Sequence, residues 1–459
     1  MTDTPQTSAA MPAMPGSAQQ ASGVIFTVVI VVTGVTAGLG GTLLIMLLHF
    51  VQHIAFGYDL GPVPHPESFL EGVTAASPPR RAAALTACGL VAGIGWWSVF
   101  RFGKPLVSIK AAVGKGVPGP RMPFLTTTAH ALLQIITVAL GSPLGREVAP
   151  REIGAMLATR IASRAGLTPE EVRIVIACGA GAGLAAVYNV PLGGAAFVLE
   201  VLLGTLAPRI LIAALASSVI ASTVAWIGLG DVPQYLVPPL GISASLVAGS
   251  IVVGPVCGMA AYAFRKLVRW AGSRTPLGWK RITWSLAVFV FIGLLATLFP
   301  QLPGNGKGPS QLGFDGDLGL RLAIGLLALK VLAIALSLRA GAAGGVLTPS
   351  LTLGALLATI FSYVWNLFFP SVHAAAFAIT GAAAFLASSM AMPLTAIILT
   401  IEFTRVSQDM WVPMVCAVTG SAATFRVCTG GIPVARRPER KLKPAVVTPA
   451  ASKPAATSV

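Results

Sequence analysis

Glu147 is the residue with the clearest chemical potential in this sequence. It lies in the segment GREVAP (145–150), directly before a run of small and apolar residues that predicts a helix. The first turn of a helix leaves backbone N–H groups unpaired and carries about half a positive charge, so it attracts anions. A carboxylate tethered there would occupy an anion site and leave when it is protonated or displaced by a free anion. The simpler alternatives are a helix cap or an ion pair with Arg146 or Arg151.

The segments around Glu147 occur twice in the chain. Residues 176–200 and 378–402 match at a constant offset of 202, and residues 145–155 and 345–355 match in two glycines at an offset of 200. The matched positions include glycines, prolines and carboxylates: Gly145 and Gly345, Gly154 and Gly354, Gly179 and Gly381, Pro191 and Pro393, Glu200 and Glu402. Paired apolar segments interrupted by Gly or Pro indicate an ion-transport site, because such helices begin or end inside the bilayer with their termini toward the ion. We expect Glu200 and Glu402 to bond backbone or hydroxyl groups at helix ends rather than to carry ions.

The composition is that of a membrane protein. Hydrophobic residues make up 55% of the chain and charged residues 10%, whereas soluble domains carry about 25% charged residues, and the mean hydropathy is +0.82. Five long runs contain no Asp, Glu, Lys or Arg: 4–58, 210–230, 232–264, 282–306 and 340–401. At about 20 residues per crossing these runs exceed five crossings. The sequence therefore predicts an all-α polytopic membrane protein.

The net charge of +16 is concentrated beside the predicted spans. Basic residues cluster at 265–281 and again after the last apolar segment, and such clusters face the cytoplasm. We therefore expect both termini to be cytoplasmic and interpret the charge as solvated or facing anionic lipid, not nucleic acid. Low-complexity composition predicts a disordered tail over 1–23 and a basic disordered tail over 436–459. Between them lie a first membrane half, 24–235, and a second, 236–435, with no cytoplasmic regulatory domain.

Chemistry of other kinds has little support in the sequence. The five cysteines stand singly in apolar surroundings, and the five histidines are scattered. These patterns predict no disulfide framework, no metal site, no cofactor and no enzymatic centre.

Three motifs resemble those of the CLC chloride channels and chloride/proton antiporters. They are GREVAP at 145–150, NVPLGGAAFVLE at 189–200 and GAAGGVLTPSL at 341–351, which are similar in order and spacing to the family's GREGP, NAPLAG and GxFxP segments. The resemblance covers roughly residues 24–435. It implies a homodimer in which each subunit has two inverted-topology halves, broken membrane helices and one ion pathway.

The resemblance also implies the site residues. Glu147 corresponds to the gating glutamate of the family. The anion-binding residues implied at the two helix starts are Arg146, Val148, Ala149, Val346, Leu347 and Thr348. Three positions depart from the family's pattern, because Val148 and Ala149 replace a glycine and a proline, and Leu347 replaces a phenylalanine.

Three further positions of the pathway differ from the family's usual residues. The family's pore serine aligns with Lys104 in GKPLV, where a lysine would bind an anion or pair with Glu147, unless the loop is misaligned and the lysine extends to water. Val201 stands where proton-coupled members carry a second glutamate, so the usual proton relay is missing. Ala435 replaces the pore-lining tyrosine.

The sequence thus predicts transport of small inorganic anions, with chloride as the default, through a pore gated by Glu147. Val201 favours passive conduction over proton exchange. One alternative is a proton/anion antiporter for chloride, fluoride or nitrate. Another is a non-conducting membrane scaffold or sensor in which Lys104 and Glu147 are locked as an ion pair. We expect the protein in the lipid bilayer of a bacterial inner membrane.

Overall fold

The computed structural model describes residues 17–58, 69–114 and 116–430, with side chains from residue 23 onward. The described part of the chain is helical apart from loops and one two-residue β-bridge. Helix α1 begins at Ser17, inside the segment 1–23 that was expected to be a disordered tail. Ala and Gln are good helix formers, and they extend the first span toward the N-terminus. The predicted tail at 436–459 lies outside the described residues.

The described residues of the first half form nine α-helices and one π-helical segment. Their bounds are α1 Ser17–Phe56, α2 Phe69–Ala75, α3 Pro78–Phe102, α4 Ile109–Val113, α5 Phe124–Ala139, α6 Val148–Ala162, α7 Pro169–Tyr188, α8 Pro191–Phe197, the π-helical Val198–Leu203 and α9 Pro208–Leu229.

Up to residue 430, where the described chain ends, the second half forms eight α-helices and a short 3₁₀ turn. Their bounds are α10 Ala244–Ser273, α11 Lys280–Leu298, α12 Lys307–Asp315, α13 Leu320–Ala340, α14 Leu347–Trp365, α15 Ala374–Met390, α16 Pro393–Thr404, the 3₁₀ turn Gln408–Met410 and α17 Trp411–Cys428. Over both halves, nine helices of the described chain are long and apolar enough to cross a membrane.

The two halves use the same packing scheme. Helix α1 packs on α7 and α9, as α10 packs on α15 and α17, and the pair α6 and α7 corresponds to α14 and α15. At the crossing of α6 and α7, a Cβ atom added to Gly154 would lie 2.0 Å from the carbonyl oxygen of Gly179. A Cβ on Gly354 would lie 2.4 Å from the carbonyl oxygen of Gly381 at the crossing of α14 and α15. Glycine therefore allows both crossings to be this close, as is usual between membrane helices.

Repeat-related carboxylates join the two halves. The Glu402 carboxylate accepts the N–H groups of Leu192 at 2.9 Å and Gly193 at 2.6 Å, in the first turn of α8. The Glu200 carboxylate accepts the N–H groups of Leu394 at 3.1 Å and Thr395 at 2.7 Å, in the first turn of α16. Each half thus supplies the anionic cap of a helix in the other half, which confirms the bonds to backbone groups at helix ends that were expected for both glutamates.

One end of the helix bundle is rich in arginine, and we call it the basic end. The Arg160 guanidinium near the end of α6 lies over the ring of Phe124 at the start of α5, and Arg281 at the start of α11 lies over Phe100 near the end of α3. Arg101, Arg164 and Arg173 belong to the same helix ends. Helix α6 therefore runs from Glu147 toward the basic end.

Candidate functional site

The centre of the molecule is formed by two helix starts held together by glycines. Gly145 and Gly345 form an antiparallel bridge, with N–H to O=C distances of 2.7 and 2.9 Å. A Cβ on Gly345 would lie 1.7 Å from Oε1 of Glu147, and a Cβ on Gly145 would lie 2.0 Å from Oε2. The two glycines therefore bring the N-termini of α6 and α14 together around one carboxylate.

That carboxylate belongs to Glu147, whose side chain is fully buried. Its Oε1 accepts the backbone N–H of Leu347, the first residue of α14, at 2.7 Å, and its Oε2 lies 3.4 Å from the Tyr188 hydroxyl. The carboxylate caps no N–H of its own helix α6. It occupies the N-terminus of the equivalent helix in the other half, which is where a free anion would be attracted.

Among the described residues, neither arginine beside Glu147 makes an ion pair with its carboxylate. Arg151 donates from Nε to the backbone oxygen of Glu147 at 2.7 Å, and its guanidinium lies over the Phe197 ring at 5.0 Å. Arg146 donates to Gln234 at 3.2 Å instead of to the carboxylate. The ion pair with either arginine is therefore wrong as an account of this carboxylate.

Tyr188 is a member of the site that the sequence reasoning missed. It ends α7, is buried, and its hydroxyl lies 2.9 Å from Oγ1 of Thr348 in the first turn of α14. The Arg146 guanidinium lies over its ring at 5.2 Å. The sequence feature that could have indicated it is a tyrosine directly before the repeated NVPLGG segment. A hydroxyl and two helix starts thus surround one position.

The other predicted anion ligands lie at these helix starts. Val148 and Ala149 open α6, and Val346 precedes Leu347 at the start of α14. These residues lie in the first turns of the two helices, where the backbone N–H groups have no intrahelical acceptor. Close to them, Lys307 at the start of α12 and Arg146 are near enough for their charges to interact, so the surroundings are cationic and would attract an anion.

Comparison with known proteins agrees with this geometry. The family model for the voltage gated chloride channel matches residues 79–426, which is most of the chain. The chain belongs to this family. Over 365 residues it is 31% identical to the voltage-gated ClC-type chloride channel ClcB of Citrobacter koseri, covering 73% of this chain and 82% of that protein. It is 30% identical over 282 residues to ClcB of Salmonella typhi, covering 60% of this chain and 67% of that protein.

Solved structures share the fold. A slow cyanobacterial Cl⁻/H⁺ antiporter superposes with a TM-score of 0.76 at 21% identity, covering 88% of this chain and 95% of that chain. A CLC-type fluoride/proton antiporter superposes with a TM-score of 0.69 at 18% identity, covering 89% and 96%. The chain therefore has the all-α CLC fold of these structures.

Lys104 does not lie beside the Glu147 carboxylate. It lies in the exposed loop after α3, and its backbone N–H donates to Thr126 Oγ1 at 3.0 Å. Among the described residues no ion pair joins Lys104 to Glu147. The predicted pair is wrong because the lysine is exposed to solvent near the basic end, while the glutamate is buried at the start of α6.

The two remaining positions that differ from the family's pattern have different outcomes. Val201 is half-buried in the π-helical segment, one residue after Glu200, and contributes no titratable group. Ala435 lies outside the described residues. No group of three or more His, Cys, Asp or Glu side chains in the described part of the chain is arranged to hold a metal ion.

Proposed function

We propose that this chain moves small inorganic anions, with chloride as the default, through a pathway gated by Glu147. The observation that supports it is the position of the Glu147 carboxylate on the N-terminus of α14. A carboxylate oxygen accepts the same N–H group that a chloride ion would accept. Side chain and anion therefore compete for one site.

The geometry suggests how the gate works. With the carboxylate bound to the Leu347 N–H, the anion site is filled and the pathway is closed. Protonation removes the negative charge that the helix start attracts, so the side chain leaves and an anion takes its place. The Tyr188 hydroxyl, 2.9 Å from Thr348, is available as a further donor to that anion.

The surroundings extend this proposal. In this proposal Lys104 attracts anions to an entrance at the basic end, which we assign to the cytoplasm because basic residues are retained there. The same proposal includes cytoplasmic N- and C-termini, a homodimeric assembly and a bacterial inner membrane. Transport, not catalysis, is the activity proposed. Fluoride or nitrate are the alternative anions.

Val201 bears on whether protons move as well. An apolar side chain cannot relay a proton, so exchange through that position is not expected. Passive conduction follows unless another titratable group lies between Glu147 and the basic end.

Efflux from liposomes tests the proposed function. Purified protein should release trapped chloride, and Glu147→Gln should change the rate and remove its dependence on pH. Glu170→Gln is the matched control, since Glu170 is an exposed carboxylate at the start of α7. Absence of chloride release by the wild type would favour the scaffold alternative.

A further inference from the structure

Helix α5 carries a buried polar stripe in a membrane protein. Thr127, His130, Gln134 and Thr137 are exposed by 1%, 8%, 0% and 0%. At 100° per residue these positions fall on one face of the helix. Ionisable groups inside a membrane are costly, and a buried one is by default a functional hypothesis with its partner named. Here the ionisable member is His130.

The partner of His130 is Glu152 on α6. The ring Nδ1 lies 2.9 Å from Oε2 of Glu152 and also 2.9 Å from the amide nitrogen of Gln134, which donates to the same carboxylate oxygen at 3.1 Å. With a proton on Nδ1 the ring donates to Glu152, and without it Nδ1 accepts from the Gln134 amide. Both protonation states thus have a hydrogen-bond partner in the same arrangement, as a site that takes up and releases a proton requires.

The pair lies between Glu147 and the basic end. Glu152 follows Glu147 by five residues on α6, which is about 7.5 Å along the helix axis at 1.5 Å per residue. Arg151 interacts electrostatically with the carboxylates of both. A charge change at Glu152 is therefore sensed next to the gate.

Helices α1, α3 and α6 pack on α5 and supply the groups that face the pair. From α3, the Trp96 ring meets the His130 ring edge-on with centroids 6.4 Å apart. Helix α6 contributes Glu152 and Arg151. The titratable side chains of α1, which also packs on α5, are His49 and His53.

Several buried polar atoms near the pair have no hydrogen-bond partner. In the described chain Trp96 Nε1, Thr127 Oγ1, Gln134 Oε1 and Ser142 Oγ are buried and make no hydrogen bond. Buried polar atoms are normally satisfied, so these positions suit hydration. Thr127 lies on the side of the basic end, whereas Ser142 lies in the loop that leads to Glu147. Buried polar atoms without partners therefore lie on both sides of the pair.

We propose that the His130–Glu152 pair carries protons between the basic end and Glu147, so that this chain exchanges protons for anions although Val201 replaces the usual relay. A proton from solvent at the basic end bonds to the pair and then transfers to a Glu147 carboxylate oxygen. The neutral acid leaves the α14 N-terminus, and one anion enters as it goes. Loss of the proton to the opposite side restores the carboxylate, which returns to the α14 N-terminus and expels the anion toward the basic end, so that proton and anion move in opposite directions. This inference rests on the proposed function of Glu147.

A purely structural ion pair would hold α5 on α6 without moving protons, and a proton measurement separates the two roles. Liposomes with an imposed chloride gradient are monitored with a chloride electrode and a pH electrode together. The wild type should drive protons against their gradient. Glu152→Gln and His130→Gln should each lower the ratio of protons to chloride by about a hundredfold, the lower end of what a positioned acid–base group contributes. Glu152→Asp should restore part of it, and Glu170→Gln should leave it unchanged.

The outcomes are distinguishable. Chloride release without uphill proton movement in the wild type would overturn this inference and leave the anion pathway standing. An unchanged ratio in both Glu152→Gln and His130→Gln would do the same, with chloride release showing that the variants are folded. If either variant does not fold, the other one decides. No chloride release by the wild type would remove the proposed function and the proton route with it.

Discussion

Replacing Glu147 with alanine removes the carboxylate that occupies the N-terminus of α14. In the structure the shorter of the two hydrogen bonds to this group is charge-assisted and comes from the Leu347 N–H at 2.7 Å, the other coming from the Tyr188 hydroxyl at 3.4 Å. A hydrogen bond to a charged group contributes about 1.5 to 3 kcal/mol. A chloride ion that binds there must first displace the side chain and overcome this free energy. At 1.4 kcal/mol per factor of ten, the variant should bind chloride about 10- to 100-fold more tightly than the wild type.

Isothermal titration calorimetry of the purified protein at neutral pH measures this difference in chloride Kd. Lowering the pH should tighten binding in the wild type, because a protonated carboxyl no longer competes, but should have no such effect in Glu147→Ala. The control is Glu170→Ala, which removes an exposed carboxylate at the start of α7 and leaves the N-terminus of α14 unchanged. Equal Kd values in wild type and Glu147→Ala would show that the carboxylate and chloride occupy different places, and the gating argument would fail.

Three further substitutions test the surroundings. Lys104→Ser should slow chloride efflux at low ionic strength. At about 1 M salt, where charges are screened over a short distance, the variant and the wild type should release chloride at the same rate. A slower rate that persists at high salt would mean that the lysine lies inside the pore. Glu402→Ala leaves the first N–H groups of α8 without acceptors and should reduce stability by about 2 to 3 kcal/mol, seen as a lower thermal midpoint, with Glu170→Ala as control. Gly154→Ala places a Cβ 2.0 Å from the Gly179 carbonyl oxygen and should cost about 1 to 3 kcal/mol; a midpoint equal to wild type would mean that α6 and α7 separate freely.

Much of the fold was predictable because the duplication appears in the letters of the sequence. The glycines paired by their spacing are the ones at the helix crossings and at the central bridge. Glu147 could be predicted from one carboxylate before an apolar helix. In these cases the informative residue and its consequence lie close together in the chain.

The missed or misjudged parts depend on contacts between distant segments. His130 and Glu152 belong to different helices, and only the register of α5 against α6 brings them to 2.9 Å. Tyr188 meets Thr348, 160 residues away. Lys104 was placed in the pore by alignment of a short motif, but alignment does not report solvent exposure, and its loop is exposed.

Glu200 and Glu402 each cap a helix of the other half, and this reciprocal contact has the form of an isologous interface. In such an interface the same patch is used twice, so that a residue of one partner contacts the patch of the other and is contacted in return. Two identical half-length chains would make these bonds without any covalent link between them. The connection after α9 is then a tether joining two partners that already match, and the halves expressed as separate polypeptides have the contacts needed to find each other.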